Sequence, residues 1–189
     1  MRTDDIELHL QVHQLLARYA HGVDRGDLAM AQSVFWPDAV DHHGGHWHGN
    51  AHAYMADLIG RQDAARAAGA SGSFQHHFTS VLIERTGDDT ARVVAAFLAF
   101  ILYQREGEDR VALLSGRFLD EVQRRDGVWR VAARTVVNDF STDDALGAPY
   151  GPGSWQSGGY LAGRYGSDDP ARVFLSGAPT AMGEPAIDQ

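Results

Sequence analysis

Four long stretches between Phe74 and Phe140 constrain this chain more than any other feature. "QHHFTSVLIER", "TARVVAAFLAFILYQRE", "RVALLSGRFLDEVQRR" and "VWRVAARTVVNDF" are rich in β-branched and aromatic residues, which suit a pleated, half-buried surface. Only "TGDD", "GED" and "DG" separate them. These are tight-turn signals, so successive strands run antiparallel. The sequence therefore predicts a meander of long strands.

The chain before them has a helical period. From Asp5 to Asp24 the residues Leu8, Val12, Leu15, Leu16, Tyr19 and Val23 recur at three- and four-residue steps and form one apolar stripe. "DRGD" breaks the pattern. Gly26 suits a left-handed C-terminal position, and Asp27 suits the N-cap of a second helix, "LAMAQSVFW", which Pro37 stops. The short connection predicts an antiparallel helical hairpin. "DAVDHHGGHWHG" reads as a short strand, a glycine turn and a second short strand. A third helix follows through "AHAYMADLIGRQDAARAA" and closes at Gly69. Helices first and hairpins afterwards imply an α+β fold, with helices on one face of a curved sheet.

Residues 1–140 are expected to form this single domain. Residues 141–189 form a Gly/Pro-rich extension that also carries Tyr150, Trp155, Tyr160, Tyr165 and Phe174. Disorder is one reading of the extension. Docking over a pocket mouth or onto a neighbouring subunit is the other.

Composition narrows the chemistry. The net charge is -9 and every basic residue other than histidine is arginine, which argues against nucleic acid or an anionic membrane as partner. Without lysine there is no Schiff base and no P-loop lysine. Without cysteine there is no disulfide, thiolate nucleophile or Cys-based zinc site. The start "MRTDDIELHL" lacks a signal pattern, and no apolar run reaches the ~20 residues of a membrane span. A cytoplasmic location is the expectation.

Five motifs in this order, "RYAHGVDRGD", "FWPDAV", "HHFTSVLIE", "GRFLDEVQRRDGVWRV" and "ARTVVNDF", resemble the SnoaL-like branch of the nuclear-transport-factor-2-like superfamily over roughly residues 5–140. The resemblance implies a cone-shaped α+β barrel, in which three N-terminal helices pack on a strongly curved antiparallel or mixed sheet and enclose a pocket. That scaffold hosts lyases, isomerases, cyclases and noncatalytic subunits. The motifs are most similar to its scytalone dehydratase, bile-acid 7α-dehydratase and hexachlorocyclohexane dehydrochlorinase members, lyases that use a histidine supported by an aspartate. Carried over, the aspartate falls on Asp24 and the histidine on His76 rather than His77. Tyr19 matches a tyrosine of the bile-acid enzyme, and Arg134 matches an arginine of the dehydrochlorinase. Scytalone dehydratase has other polar residues where this chain has Val23, His42, Ile101 and Phe118, so scytalone is not the implied substrate.

These residues suit elimination without a cofactor. An imidazole is neutral and basic near working pH, and a carboxylate fixes its tautomer and stabilises the imidazolium formed on proton transfer. The expected catalytic set is His76, Asp24, Tyr19 and Arg134. The expected substrate-binding set is His42, Phe78, Ser80, Ile101 and Phe118, around a small apolar or aromatic substrate. Tyr19 also fits plain core packing, and Arg134 also fits an ion pair with Asp120 or Asp139. An isomerase, a polyketide-type cyclase and a noncatalytic ligand-binding protein stand as alternatives.

Two neighbours in a strand point to opposite faces. In unbroken alternation His76 shares a face with Phe78, Ser80 and Leu82, and His77 shares one with Thr79, Val81 and Ile83. His42, His43, His46, His48 and His52 cluster around a double-glycine turn without a firm carboxylate set, so no metal is expected there. The long strand is apolar on both faces: Leu98, Phe100 and Leu102 on one, Phe97, Ala99, Ile101 and Tyr103 on the other. If one face lines a pocket the other needs cover, which predicts a homo-oligomer, dimer or trimer.

Overall fold

The computed structural model describes residues 3–69, 72–146 and 163–177. The apolar stripe becomes the inner side of α1 (Thr3–Asp24), where Leu8, Val12, Leu15, Leu16, Tyr19 and Val23 are all buried. Gly26 then adopts a φ of 66°. Asp27 caps α2 (Leu28–Ser33) by accepting the Met30 N–H at 3.0 Å. The two helices approach so closely that a Cβ on Gly22 would lie 2.6 Å from the Ala31 nitrogen.

The second helix is shorter than its sequence pattern suggests. It ends at Ser33, and Phe35 and Trp36 open β1 (Phe35–His42) instead. Sheet pairing outweighs one more helical turn: the Val131 N–H donates to the Val34 carbonyl at 3.0 Å, and Phe35 is fully buried beside it. Pro37 therefore sits inside a strand. The ladder to the neighbouring strand skips from Phe35 to Val40, a gap that tolerates the missing N–H. β2 (His48–Asn50) returns after the glycine turn, and Asn50 caps α3 (Ala51–Ala67) by accepting the Ala53 N–H.

β3 (Ser73–Gly87), β4 (Thr90–Arg105), β5 (Glu108–Arg125) and β6 (Val128–Ala145) form the expected antiparallel meander. β1 joins β6 in parallel, giving a mixed six-stranded sheet of order β2-β1-β6-β5-β4-β3 that does not close. α1 packs against β3 and α3 against β1, so the helices and the sheet surround one core. The architecture is the α+β cone. β6 continues to Ala145, past the expected domain boundary at residue 140.

Two bulges decide which side chains face that core. In β3, Phe78 pairs with Phe97 but Val81 pairs with Ala95, so Thr79 and Ser80 together oppose Ala96. The extra residue reverses the alternation. His76 and Phe78 face inward before it, and Val81 and Ile83 do so after it. The unbroken alternation read from the sequence fails here, because Ser80 is exposed and Leu82 is 58% exposed. In β6, Ala132, like Asp139 further along the strand, is left unpaired. Trp129 and Val131 face inward before it, and Arg134 after it.

Part of the C-terminal extension docks on its own chain. The Gly166 N–H donates to the Arg25 carbonyl at 2.9 Å, and Tyr165 lies against Gly26 with the Arg66 guanidinium 4.0 Å from its ring centre. Asp169 is 2% exposed, caps α4 (Pro170–Leu175) and lies 3.4 Å from Arg25 Nε. Arg172 pairs with Asp27 at 3.0 Å. The expected aromatic contacts of Tyr150, Trp155 and Tyr160 lie outside the described residues. Among those described, no helix is long and apolar enough to cross a membrane.

Candidate active site

Asp24 closes α1 and is 6% exposed. Its carboxylate crosses to β3 and holds His76 at two points. Oδ2 accepts the His76 backbone N–H at 2.8 Å, and Oδ1 lies 2.6 Å from the ring Nδ1. A carboxylate oxygen only accepts, so Nδ1 carries a proton, and in the neutral tautomer the lone pair is on Nε2. Nε2 makes no hydrogen bond to the described residues. The ring lines a cavity of about 400 Å³. His77 is exposed on the other face of the sheet, edge-on to Phe100 at 5.7 Å.

Phe74, Phe97, Ile101, Leu114 and Phe118 give the cavity apolar walls. Gly116 is required by one of them, since a Cβ there would come within 2.8 Å of Phe97 Cζ. Tyr19 contributes from α1, with its ring centre 5.7 Å from His76 and 5.2 Å from Phe118. Burial raises the Tyr19 phenol well above the usual tyrosine range against the pull of Arg134, so it stays a hydrogen-bond donor.

Arg134 lies one layer behind these rings and does not line the cavity. Its guanidinium carbon is 3.9 Å from the Phe118 ring centre and 4.4 Å from that of Tyr19. Nε and Nη2 each donate to Asp120 at 2.7 Å, and Nη1 has no partner among the described residues. Burial works against this charge, but Asp120 outweighs it and holds the arginine above its ordinary range. Of the two carboxylates the sequence left open for Arg134, Asp120 is the partner. Asp139 pairs with Arg117.

The expected substrate-binding set divides. Ile101 and Phe118 line the cavity. Phe78 sits behind Phe118, with ring centres 5.5 Å apart. Ser80 is carried to the surface by the β3 bulge and does not reach the cavity. His42 points away, its ring 4.9 Å from His48. The cause is strand parity in β1, where Ala39 and Asp41 are inward and Val40 is 43% exposed.

The neighbouring histidine was missed. His43 lines the cavity, with Nδ1 2.9 Å from Oδ1 of Asp41, a fully buried carboxylate. Alternation outward from Ala39 already points Asp41 inward, which was the available signal. Tyr54 also lines the cavity beside the His43 ring, at 4.6 Å, and its phenol is raised chiefly by burial. Asn138 reaches the cavity through the shifted parity of β6. Among the described residues, no three His, Asp or Glu side chains are grouped to hold a metal ion.

Comparison with known proteins concerns the fold and the family. A hexachlorocyclohexane dehydrochlorinase, LinA type 2, is similar with a TM-score of 0.67 at 19% identity, over 80% of this chain and 98% of that one. LinA-type3 from Novosphingobium barchaimii gives 0.66 at 20% identity, over 79% and 97%. A scytalone-dehydratase-like protein from Novosphingobium aromaticivorans gives 0.62 at 21%, over 82% and 99%. Identities this low speak for the fold. No curated protein matches the sequence. The profile of the SnoaL-like domain matches residues 4–135, from α1 into β6, and the chain belongs to that family.

Proposed function

We propose that this protein is a small-molecule lyase that eliminates water or another small group from an apolar, aromatic or alicyclic substrate without a cofactor. The observation that carries this reading is the two-point hold of Asp24 on His76, which leaves Nε2 basic in a ring that lines the cavity. Nε2 takes a proton from carbon, and Asp24 stabilises the imidazolium that results. Low polarity around the pair strengthens that stabilisation. The protonated Tyr19 hydroxyl can hold a substrate oxygen, whereas Arg134, committed to Asp120, acts through the rings in front of it. Fold relatives named as dehydrochlorinase and dehydratase-like fit the same chemistry.

The test is a panel of β-hydroxy and β-chloro ketones followed by mass spectrometry. Loss of water or hydrogen chloride is expected, slowed ~10²- to 10⁴-fold by His76→Gln. An isomerase or cyclase would return products of unchanged mass. Binding without turnover would make the cavity a ligand site only. Undiminished turnover in His76→Gln would remove His76 from the mechanism.

The outer face of the sheet supports a homo-oligomer, dimer or trimer, as part of the same proposal. Leu82, Val94 and Leu119 are paired in a row across three strands, and Leu82 and Leu119 are 58% and 38% exposed. A monomeric mass by light scattering would count against it.

A further inference from the structure

The cavity holds a second histidine–aspartate pair, on a different wall from the first. His43 follows β1 and is fixed by its turn: its N–H donates to the Trp47 carbonyl at 2.8 Å, and its carbonyl accepts the His46 N–H at 3.1 Å. Its Nδ1 is taken by Asp41 at 2.9 Å, and its Nε2 makes no hydrogen bond to the described residues. The side chain keeps 22% of its surface exposed, and the ring lines the cavity with that of His76.

The two pairs differ in how their carboxylates are satisfied. Asp24 receives two N–H donors, one from the backbone and one from the ring, so each of its oxygens has a partner. Among the described residues Asp41 receives only the His43 ring, and its buried Oδ2 has no partner there. A buried carboxylate with one donor needs a cation beside it. The His43 ring, once protonated, supplies that cation. Arg134, paired with Asp41 in the β1–β6 register and influenced by its charge, adds positive potential from the next strand. The two carboxylates therefore hold their histidines differently, one with a donor on each oxygen and one with a buried oxygen unmet by the described residues.

We infer that His43, held by Asp41, is the proton donor to the leaving oxygen, and that the substrate class is a β-hydroxy carbonyl compound that loses water. This role deepens the lyase reading above and rests on it. His76 Nε2 takes the proton from the carbon beside the carbonyl, and the C–H electron pair becomes the new C=C bond. The C–O bond breaks with its pair going to oxygen. That oxygen takes a proton from His43 Nε2 and departs as water. The proton gained by His76 and the one lost by His43 balance through solvent, and nothing is oxidised or reduced. A chloride leaves as an anion and needs no such proton, so the second pair separates dehydration from dehydrohalogenation.

The probes are the aldol of acetone with benzaldehyde and its β-chloro counterpart, which give the same enone, followed by absorbance above the uncatalysed background. His43→Gln is expected to slow the hydroxy probe ~10²- to 10⁴-fold and to leave the chloro probe within about threefold. Asp41→Asn is expected to show the same pattern, and His76→Gln to slow both probes. The ratio of the two rates is independent of the fraction of folded protein, so a variant that folds poorly is still informative. Equal slowing of both probes by His43→Gln, or of neither, overturns the role of His43 while loss of both in His76→Gln keeps the lyase reading. No turnover of either probe by the wild-type protein overturns both.

Discussion

An Asp24→Asn substitution exchanges one of the two oxygens that hold His76 for an NH2 group. The backbone N–H of His76 is a fixed donor, so the remaining oxygen must face it, at the 2.8 Å position. The amide NH2 then meets Nδ1, which lies 2.6 Å from the other carboxylate oxygen in the wild type. Two donors cannot share one hydrogen bond, but the imidazole can shift its proton to Nε2 and accept at Nδ1. Both hydrogen bonds survive as neutral ones. A charge-assisted bond is worth ~1.5–3 kcal/mol and a neutral one ~0.5–1.5, so the pair loses about 2–3 kcal/mol. Relief from burying a carboxylate offsets part of this. The expected net loss is about 1–2 kcal/mol, or a few degrees in Tm for a domain of this size. The rate should fall much further, because the nitrogen that must accept a proton already carries one. A comparable tautomer error in a serine-protease triad costs ~10⁴ in kcat, about 5.4 kcal/mol of barrier. Long-range ¹H–¹⁵N NMR of the ring reads the tautomer without a substrate: Nδ1–H in the wild type, Nε2–H in the variant. A variant that keeps the Nδ1–H tautomer and the wild-type rate would refute the reasoning.

Other consequences follow from the groups around the site. Asp120→Asn leaves the fully buried Arg134 without its counter-charge and should cost ~3–5 kcal/mol in urea unfolding, whereas the double change Arg134→Met with Asp120→Leu should recover most of that loss. Tyr19 and Tyr54 have phenols raised above the ordinary value of 10.0. Above pH 10 the unfolded chain sheds protons that the folded chain keeps, so stability is fully present below pH 10 and falls above it by ~1.4 kcal/mol per pH unit for each tyrosine. The Tyr165 phenol is also raised, to about 12, so Tyr19→Phe should remove about one third of the total slope in unfolding titrations between pH 10 and 12. Asp169→Ala removes the α4 cap and the contact to Arg25; a stability loss of ~1–2 kcal/mol and faster amide exchange at Gly166 are expected, and unchanged exchange there would show that the extension does not depend on Asp169.

The parts of the fold visible in the sequence were those set by short-range rules. The α1 stripe is a direct consequence of helical period, and the meander follows from turns of a few residues. The end of α2 was not visible, because the competitor to another helical turn was β6, nearly a hundred residues away. Side-chain direction in the strands was readable up to the first bulge and not beyond it. His76 precedes the Thr79–Ser80 bulge and faces inward while His77 faces out, as alternation has it, whereas Ser80 and Leu82 follow the break in parity and face out. The same limit explains the histidine turn. Parity along β1 separates Asp41 from His42, but the fold of the turn after it is needed to bring His43 back to the cavity.

The choice between His76 and His77 has a further physical basis in the sheet order. β3 is the edge strand next to α1, and the His76 N–H is answered by Asp24 rather than by another strand. An exposed edge carries unpaired backbone donors that invite pairing with another chain. Asp24 satisfies one of them with the same carboxylate that fixes the imidazole, so one helix terminus protects the edge and orients the base. His77 has its side chain on the outer face, edge-on to Phe100. A slip of one residue would therefore do more than exchange two histidines. It would separate the backbone donor from the ring donor, and Asp24 would no longer hold one residue by both.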